Sequence, residues 1–475
     1  MQWSLSSFLS LSEFVFVSRV NGMYRTLDPA TEELIEEFPL AEAAAIDAAV
    51  ARSLAAFARQ RSRSFAERAA ILVRLADALE IGVESLAETM ALEMGKPLLQ
   101  GVAEAQKCAW VCRHYAEHGA EMLAAEPRES DGASAEVRFA PLGVVLAIMP
   151  WNFPFWQLFR FAAPAWMAGN SVILKHAPNT PRCALEIERL VREASGDDGL
   201  LVNLFLSNEQ AAELVARREV AAVTLTGSSR AGRAVGAVAG AQLKPAVLEL
   251  GGSDAFVVLG DADVDRAAEV GVRARCLNSG QSCIAAKRFV VHAAVYDAFR
   301  DVFVAGMRAQ RVGDPRSEDT AIGPLARRDL RDLLTEQVDD ALAHGARALL
   351  GGERPSGRGF FSPPTVLEGV GARARAYREE LFGPVACLYR AGSDDEALAL
   401  ANATDFGLGA SVWTRDPARA ERFVGALETG SVFVNGLVKS DPRLPFGGVK
   451  DSGYGRELGV EGVRAFVNVK TVWVG

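Results

Sequence analysis

An α/β fold built on parallel sheets covered by helices on both faces is what this sequence predicts, and three observations lead there. From Gly143 onward, short apolar runs alternate with segments whose apolar residues recur every three or four positions, the pattern of strand followed by helix. Runs such as SVILK at Ser171–Lys175 are apolar without alternation, as strands buried on both faces are. The chain has 475 residues, more than the roughly 250–300 at which one core stops growing, so two or more packed domains are expected.

In chain order, residues 41–118 read as helices, with apolar spacing in RAAILVRLADALE and ESLAETMALEM. Glu136–Phe139 follows an Asp131-Gly132 turn signal and reads as a short strand or hairpin projecting from the body. A first alternating series follows: strand 143–149, helix 155–167, strand 171–175, helix 181–194, strand 201–206, helix 208–218, strand 220–226, helix 229–239 and strand 245–250. A second series runs through strand 254–259, helix 264–277, strand 288–292 and helix 295–310, with Gly251-Gly252 as a hinge between the two. The terminal FVNVKTVWV reads as a strand that needs a partner, expected across a subunit interface and near the 124–139 hairpin.

The bulk composition excludes several classes. Hydrophobic residues make up 49% and charged residues 23%, as in globular enzymes. A net charge of −9, without a basic stripe, disfavours nucleic acid as a partner. No apolar run reaches the ~18–20 residues of a membrane span, so no membrane partner and a cytoplasmic location are expected. Residues 1–22 lack a basic start and carry Glu13, which argues against a secretory signal; they read as an extension ahead of a native start at Met23. The six cysteines have no paired C-x-x-C spacing and read as reduced thiols. Cys108 and Cys112, with His114 and His118, form a conceivable metal cluster, but a buried thiol pair and a wet helix face is the plainer reading.

Three residues stand out for chemistry, each with an ordinary alternative. Cys283 ends NSGQSC after a helix, where a sulfur that faces a cleft can act as a nucleophile, though a lone cysteine is more often a buried thiol. Glu249 in LELGGSD sits where a strand reaches the carboxyl edge of its sheet, either as a functional carboxylate or as a partner of Lys244. Asn152 in MPWNFPFW follows a buried strand and either donates into a dry site or is a turn asparagine.

Taken together, PWNFP, LELGG, GQSC, EELFGPV and PFGGVKDSGYGRE, in this order, make the chain resemble the aldehyde dehydrogenase superfamily over nearly its whole length. The resemblance implies the aldehyde dehydrogenase fold: a Rossmann-like cofactor domain at 23–122 and 142–250, an α/β catalytic domain at 251–456, and small oligomerisation elements at 123–141 and 457–475 of a homodimer or homotetramer. It implies that Cys283 attacks a small-molecule aldehyde, that the Asn152 amide and the Cys283 N–H hold the oxyanion, and that Glu249 activates water to hydrolyse the thioester. A CoA-acylating relative would lack the glutamate, and a catalytically silent one would lose Cys283, Asn152 or Glu249; all three are present.

For the cofactor, NAD or NADP, the resemblance implies Trp151, Lys175 at the adenosine ribose, Gly227 and Ser228 at the pyrophosphate, and Glu380 with Phe382 at the nicotinamide ribose. The G-x-G-x-x-G fingerprint is absent. Pro178 stands where strict NAD users often carry a glutamate, so no acid repels a 2′-phosphate, while His176, Asn179 and Thr180 are the only nearby polar groups.

Trp156 and Arg160 fall one turn apart on the helix after PWNFP. In the succinate-semialdehyde branch, which this chain resembles, an arginine here grips the substrate carboxylate, helped by a serine that Ser440 matches. Arg160 pairing with a protein acid is the alternative. A second arginine that some members carry before the nucleophile is Leu277 here, so glutarate semialdehyde or aliphatic aldehydes remain competing substrates.

Overall fold

A computed structural model describes residues 22–354 and 356–475. The expected extension at 1–22 lies, but for Gly22, outside the described residues. Four helices, Ala43–Ser62, Phe65–Ile81, Val83–Met94 and Leu98–Met122, occupy the region read as helical. Ahead of them a hairpin of Met23–Leu27 and Leu34–Pro39 had no counterpart in the sequence reading.

The first alternating series forms a six-stranded sheet. Its five parallel strands lie in the order Ala246–Glu249, Val220–Thr226, Val144–Ile148, Ser171–Lys175 and Leu201–Asn203, with Gly453–Tyr454 added antiparallel beside Glu249. Their register brings Ile148, Lys175, Thr226 and Glu249 to one carboxyl edge. The strand predicted to reach residue 206 stops at Asn203. The second series forms a seven-stranded sheet, parallel through Thr365–Glu368, Val385–Ala391, Arg288–His292, Ala255–Val258, Gly409–Trp413 and Ser431–Val434, with Arg347–Leu350 antiparallel at its edge.

The segment after Glu249 leaves the carboxyl edge of the first sheet and enters the amino edge of the second at Ala255. Both edges therefore face the same region, and the loops that precede Arg288 and Val385 also arrive there. Gly251 and Gly252, expected as a hinge, are closely packed. A Cβ would stand 2.6 Å from Glu380 Oε2 at Gly251 and 2.6 Å from the Cys283 carbonyl oxygen at Gly252.

The C-terminal strand Val467–Val474 pairs antiparallel with Ser134–Pro141 of the same chain, in the region of the expected hairpin, and its other edge is free for the pairing expected across a subunit interface. Its apolar residues find a backbone partner locally because Asn170 binds the two strands to the main sheet: its side chain accepts from Gly143 N–H and donates to the Phe466 carbonyl. The strand remains an outer edge, with Val469 61% and Trp473 53% exposed. Among the described residues, no helix is long and apolar enough to cross a membrane.

Candidate active site

Cys283 sits in a loop whose shape is set by side chains rather than by regular structure. The helix Val264–Cys276 ends, and Asn278, Ser279 and Gly280 follow at φ +55°, +56° and +75°. Two of these are non-glycine residues in the left-handed region, a costly backbone that persists only where its surroundings hold it. They do: Asn278 N–H donates to Gln100 Oε1 at 2.6 Å, the Ser279 hydroxyl accepts from Gly323 N–H at 2.9 Å, and Arg275 donates to the Gly280 carbonyl at 2.6 Å. Lys287 Nζ donates to the carbonyls of Ser282 at 2.8 Å and Cys283 at 2.6 Å, so the backbone of the cysteine itself is clamped.

Of the six free cysteines, Cys283 alone is not fully buried. Its surroundings are nonetheless dry: burial pushes the thiol up to about 12, against the pull of Arg160 and Lys287, while Glu380 and Glu249 push it the same way as burial. Asn152 lies alongside. Its Nδ2 donates to the Gln281 carbonyl at 3.1 Å, which uses one of two N–H groups and leaves the other. Its own carbonyl is held by Lys96 Nζ at 2.9 Å and Asn278 Nδ2 at 2.7 Å. Behind it, buried Lys96 pairs with Glu104, and the other Glu104 oxygen accepts the N–H groups of Phe155 and Trp156, each at 2.9 Å.

Glu249 is 2% exposed, and neither carboxylate oxygen has a hydrogen-bond partner. Burial raises it well above the usual carboxylate range, opposed by Arg160, whose Nη2 is 4.0 Å away. Lys244, the alternative partner, donates to the carbonyls of Val215 and Arg217 instead. A dry carboxylate with open lone pairs near a thiol is suited to take a proton from water.

Arg160, expected to grip a substrate carboxylate, has a protein acid as its partner. It donates from Nε to Glu457, a buried acid from the quoted C-terminal motif, and its Nη2 lies 3.4 Å from Thr226 Oγ1. The reason is burial: an arginine 2% exposed needs a permanent counter-charge, and Glu457 supplies it. Ser440 accepts from Trp156 Nε1 at 3.1 Å and from Lys107 Nζ at 2.8 Å.

The remaining expected residues ring the same edges. Trp151 meets Phe382 edge-on at 5.7 Å. Glu380 accepts from Gly252 N–H at 3.1 Å and lies 3.2 Å from Lys287 Nζ. Gly227 N–H donates to the Glu249 carbonyl, and Ser228 caps the helix Ser229–Ala241 by accepting from Ala231 N–H. Lys175 is 7% exposed; burial lowers its ammonium to about 8, and its Nζ lies 5.8 Å from the centre of the Tyr24 ring. A buried ammonium with unused N–H groups fits ribose hydroxyls or a phosphate. Next to it, His176 and Thr180 are bonded to each other at 2.9 Å, Pro178 brings no charge, and both amide atoms of Asn179 are unpartnered. Cys108 and Cys112 lie in the core, and among the described residues no group of three or more side chains forms a metal site.

Sequence reasoning missed Lys96, Glu104, Lys107, Lys287 and Glu457. Only Glu457 had a signal, its place in a quoted motif. The lysines lie on helix faces and loop ends where an isolated charge reads as solvated.

Residues 16–472 match the aldehyde dehydrogenase family. Among curated proteins, the chain is 50% identical over 452 residues to succinate-semialdehyde dehydrogenase [NADP(+)] 1 of Mycobacterium bovis, covering 94% of this chain and 99% of that protein. It is also 50% identical over 454 residues to succinate-semialdehyde dehydrogenase [NADP(+)] of Mycolicibacterium paratuberculosis, covering 95% and 96%. Among solved structures, succinic semialdehyde dehydrogenase from Streptococcus pyogenes in complex with NADP+ superposes with a TM-score of 0.93 at 36% identity, covering 95% of this chain and 99% of that one.

Proposed function

The chain belongs to the aldehyde dehydrogenase family, and from that premise we propose that it oxidises succinate semialdehyde to succinate with NADP or NAD through a thioester on Cys283. The observation that carries the substrate is half-identity, over nearly full length, to relatives named for that activity with NADP. The observation that carries the chemistry is the unpartnered buried carboxylate of Glu249, which acts electrostatically on the thiol of Cys283, a cysteine whose backbone is clamped.

In this mechanism the Cys283 sulfur adds to the aldehyde carbon. The developing oxyanion is met by the spare Asn152 N–H and the Cys283 backbone N–H, donors that Lys96, Asn278 and Lys287 have already fixed in place, so little reorganisation is needed. Loss of hydride from the tetrahedral carbon leaves the thioester. When bound, the nicotinamide accepts that hydride. Glu249 then takes a proton from the water that attacks the thioester, and Arg160, 4.0 Å away, steadies its charge. Lys175, Pro178, Trp151, Gly227, Ser228, Glu380 and Phe382 line the cofactor side, where the absence of an acid next to Lys175 supports NADP. The free outer edge of Val467–Val474 supports a homodimer or homotetramer.

Initial rates with succinate semialdehyde, glutarate semialdehyde and butanal, each with NADP and NAD, test this reading. Succinate semialdehyde with NADP is expected to have the highest kcat/KM. Equal efficiency on butanal would replace it with a broad aldehyde dehydrogenase, and higher efficiency on glutarate semialdehyde would lengthen the substrate.

A further inference from the structure

Lys287 is a buried cation that touches two parts of the site at once. It directly precedes the strand Arg288–His292 in the middle of the second sheet, where its N–H donates to the Asp254 carbonyl at 3.1 Å and its carbonyl accepts from Cys387 N–H at 2.9 Å. The root of the side chain is therefore fixed to the sheet. Its ammonium, 1% exposed, has three N–H groups and three oxygens around it: the carbonyls of Ser282 at 2.8 Å and Cys283 at 2.6 Å, and Glu380 Oε1 at 3.2 Å. Burial pushes this ammonium down and Glu380 opposes that most strongly; Arg275 adds to burial, while Asp254 and the Cys283 thiol support the charge.

Two loop carbonyls do not by themselves call for a lysine. A neutral amide would hold them without the cost of a buried charge. Glu380 accounts for the charge. Its Oε1 faces Lys287 and accepts from Gly252 N–H at 3.1 Å, and its backbone carbonyl accepts from Gln337 Nε2 at 3.3 Å. Among the described residues Oε2 has no hydrogen-bond partner, and the side chain is 19% exposed, so one oxygen is held by the protein and the other is open to a hydroxyl. One nitrogen thus fixes this carboxylate on one side and the backbone of the nucleophile on the other. Their charges also meet at the sulfur: burial pushes the Cys283 thiol up, Arg160 and Lys287 pull it down, and Glu380 and Glu249 add to burial.

We propose that Lys287 is a positioning residue that ties the Cys283 nucleophile to Glu380, so that one ammonium sets where the sulfur and the seat of the nicotinamide ribose stand relative to each other. This rests on the reading above, in which Cys283 carries the thioester and Glu380 lines the cofactor side, and deepens it. The step served is the loss of hydride from the tetrahedral carbon, whose rate falls about 100-fold for a misplacement near 1 Å. Lys287 gives and takes no proton in it.

The test compares the full chain with Lys287→Met, Lys287→Arg, Glu380→Gln and the double variant Lys287→Met/Glu380→Gln. Alkylation of Cys283 by iodoacetamide, without cofactor or aldehyde, is followed on its peptide by mass spectrometry; the burst of reduced cofactor is followed with NADP and succinate semialdehyde. Lys287→Met is expected to slow alkylation on the order of tenfold and the burst on the order of 100-fold, with Lys287→Arg keeping alkylation within about threefold. Glu380→Gln is expected to slow the burst about tenfold without slowing alkylation, since its charge opposes the thiolate. Both substitutions break one tie, so the double variant should give a burst no slower than Lys287→Met. A further loss of about tenfold, as for independent effects, overturns the proposal, and so does alkylation of Lys287→Met within about twofold of the original. Should Lys287→Met not fold because Glu380 is stranded, Glu380→Gln and the double variant carry the comparison. Alkylation and burst should then differ between them by one common factor of about ten, and a burst that falls much further overturns the tie. If Glu380→Gln leaves the burst unchanged, the cofactor reading of Glu380 fails and takes this one with it; a defect in Glu380→Gln without one in Lys287→Met sinks this proposal alone.

Discussion

Among individual residues, the thiol of Cys283 and the carboxylate of Glu249 are both displaced upward by burial, and this has consequences for pH. A thiol that burial pushes up to about 12 is almost wholly protonated at neutrality, so its reactive fraction grows with pH. Pre-steady-state acylation is expected to accelerate from pH 6 to pH 9; a flat profile would mean that bound cofactor or substrate has already ionised the thiol. Arg160 lies between Glu249 and Glu457, so Arg160→Ala leaves two buried acids without their shared cation and raises Glu249 further. Turnover of succinate semialdehyde and of butanal should then fall together, with the kcat profile displaced to higher pH. A selective rise in KM for succinate semialdehyde would instead show Arg160 gripping the substrate carboxylate, the role that resemblance implies. Asn152→Ala removes one oxyanion donor and should lower kcat by about 10²–10³-fold with little change in cofactor binding.

The two elements that frame the site, Leu98–Met122 and Trp156–Ala168, are joined by the buried Lys96–Glu104 pair, which also holds the Asn152 carbonyl and the first N–H groups of the second helix. Removing one partner strands a charge, so Lys96→Met should cost about 3–5 kcal/mol, read from urea unfolding, and lower kcat as Asn152 loses its anchor. An unfolding midpoint equal to the original would show the pair to be dispensable. At this scale the sequence was most readable where periodicity is strong: the strands at 171–175, 220–226 and 288–292 begin and end as predicted. The N-terminal hairpin escaped because LIEEFP is short and only half-buried. The turn at Asn278 and Ser279 escaped because its left-handed backbone is imposed by Gln100, Gly323 and Arg275, which are distant in sequence or silent in pattern. The residues proposed as nucleophile, base and oxyanion donor were singled out through ordered motifs. The buried lysines were not, because a lysine's burial depends on what packs over it.

For the whole molecule, the strand Val467–Val474 finds its partner within the chain yet leaves an apolar outer edge, with Val469 and Trp473 exposed. Edges of this kind are covered in stable proteins. The chain is expected to elute as a homodimer or homotetramer in light-scattering chromatography, and Val469→Lys with Trp473→Lys to shift it towards monomer; an unsubstituted monomer would remove this edge from the account of assembly. The two sheets meet where the first ends and the second begins, and the thioester chemistry is assigned to that seam. Glu249→Gln tests it most directly, since it leaves the nucleophile and removes the base. Mixed with NADP and succinate semialdehyde, this variant should give a burst of reduced cofactor near one per active site and then nearly stop, with a succinyl adduct on the Cys283 peptide by mass spectrometry. Steady turnover without an adduct, or neither burst nor adduct, would contradict the account.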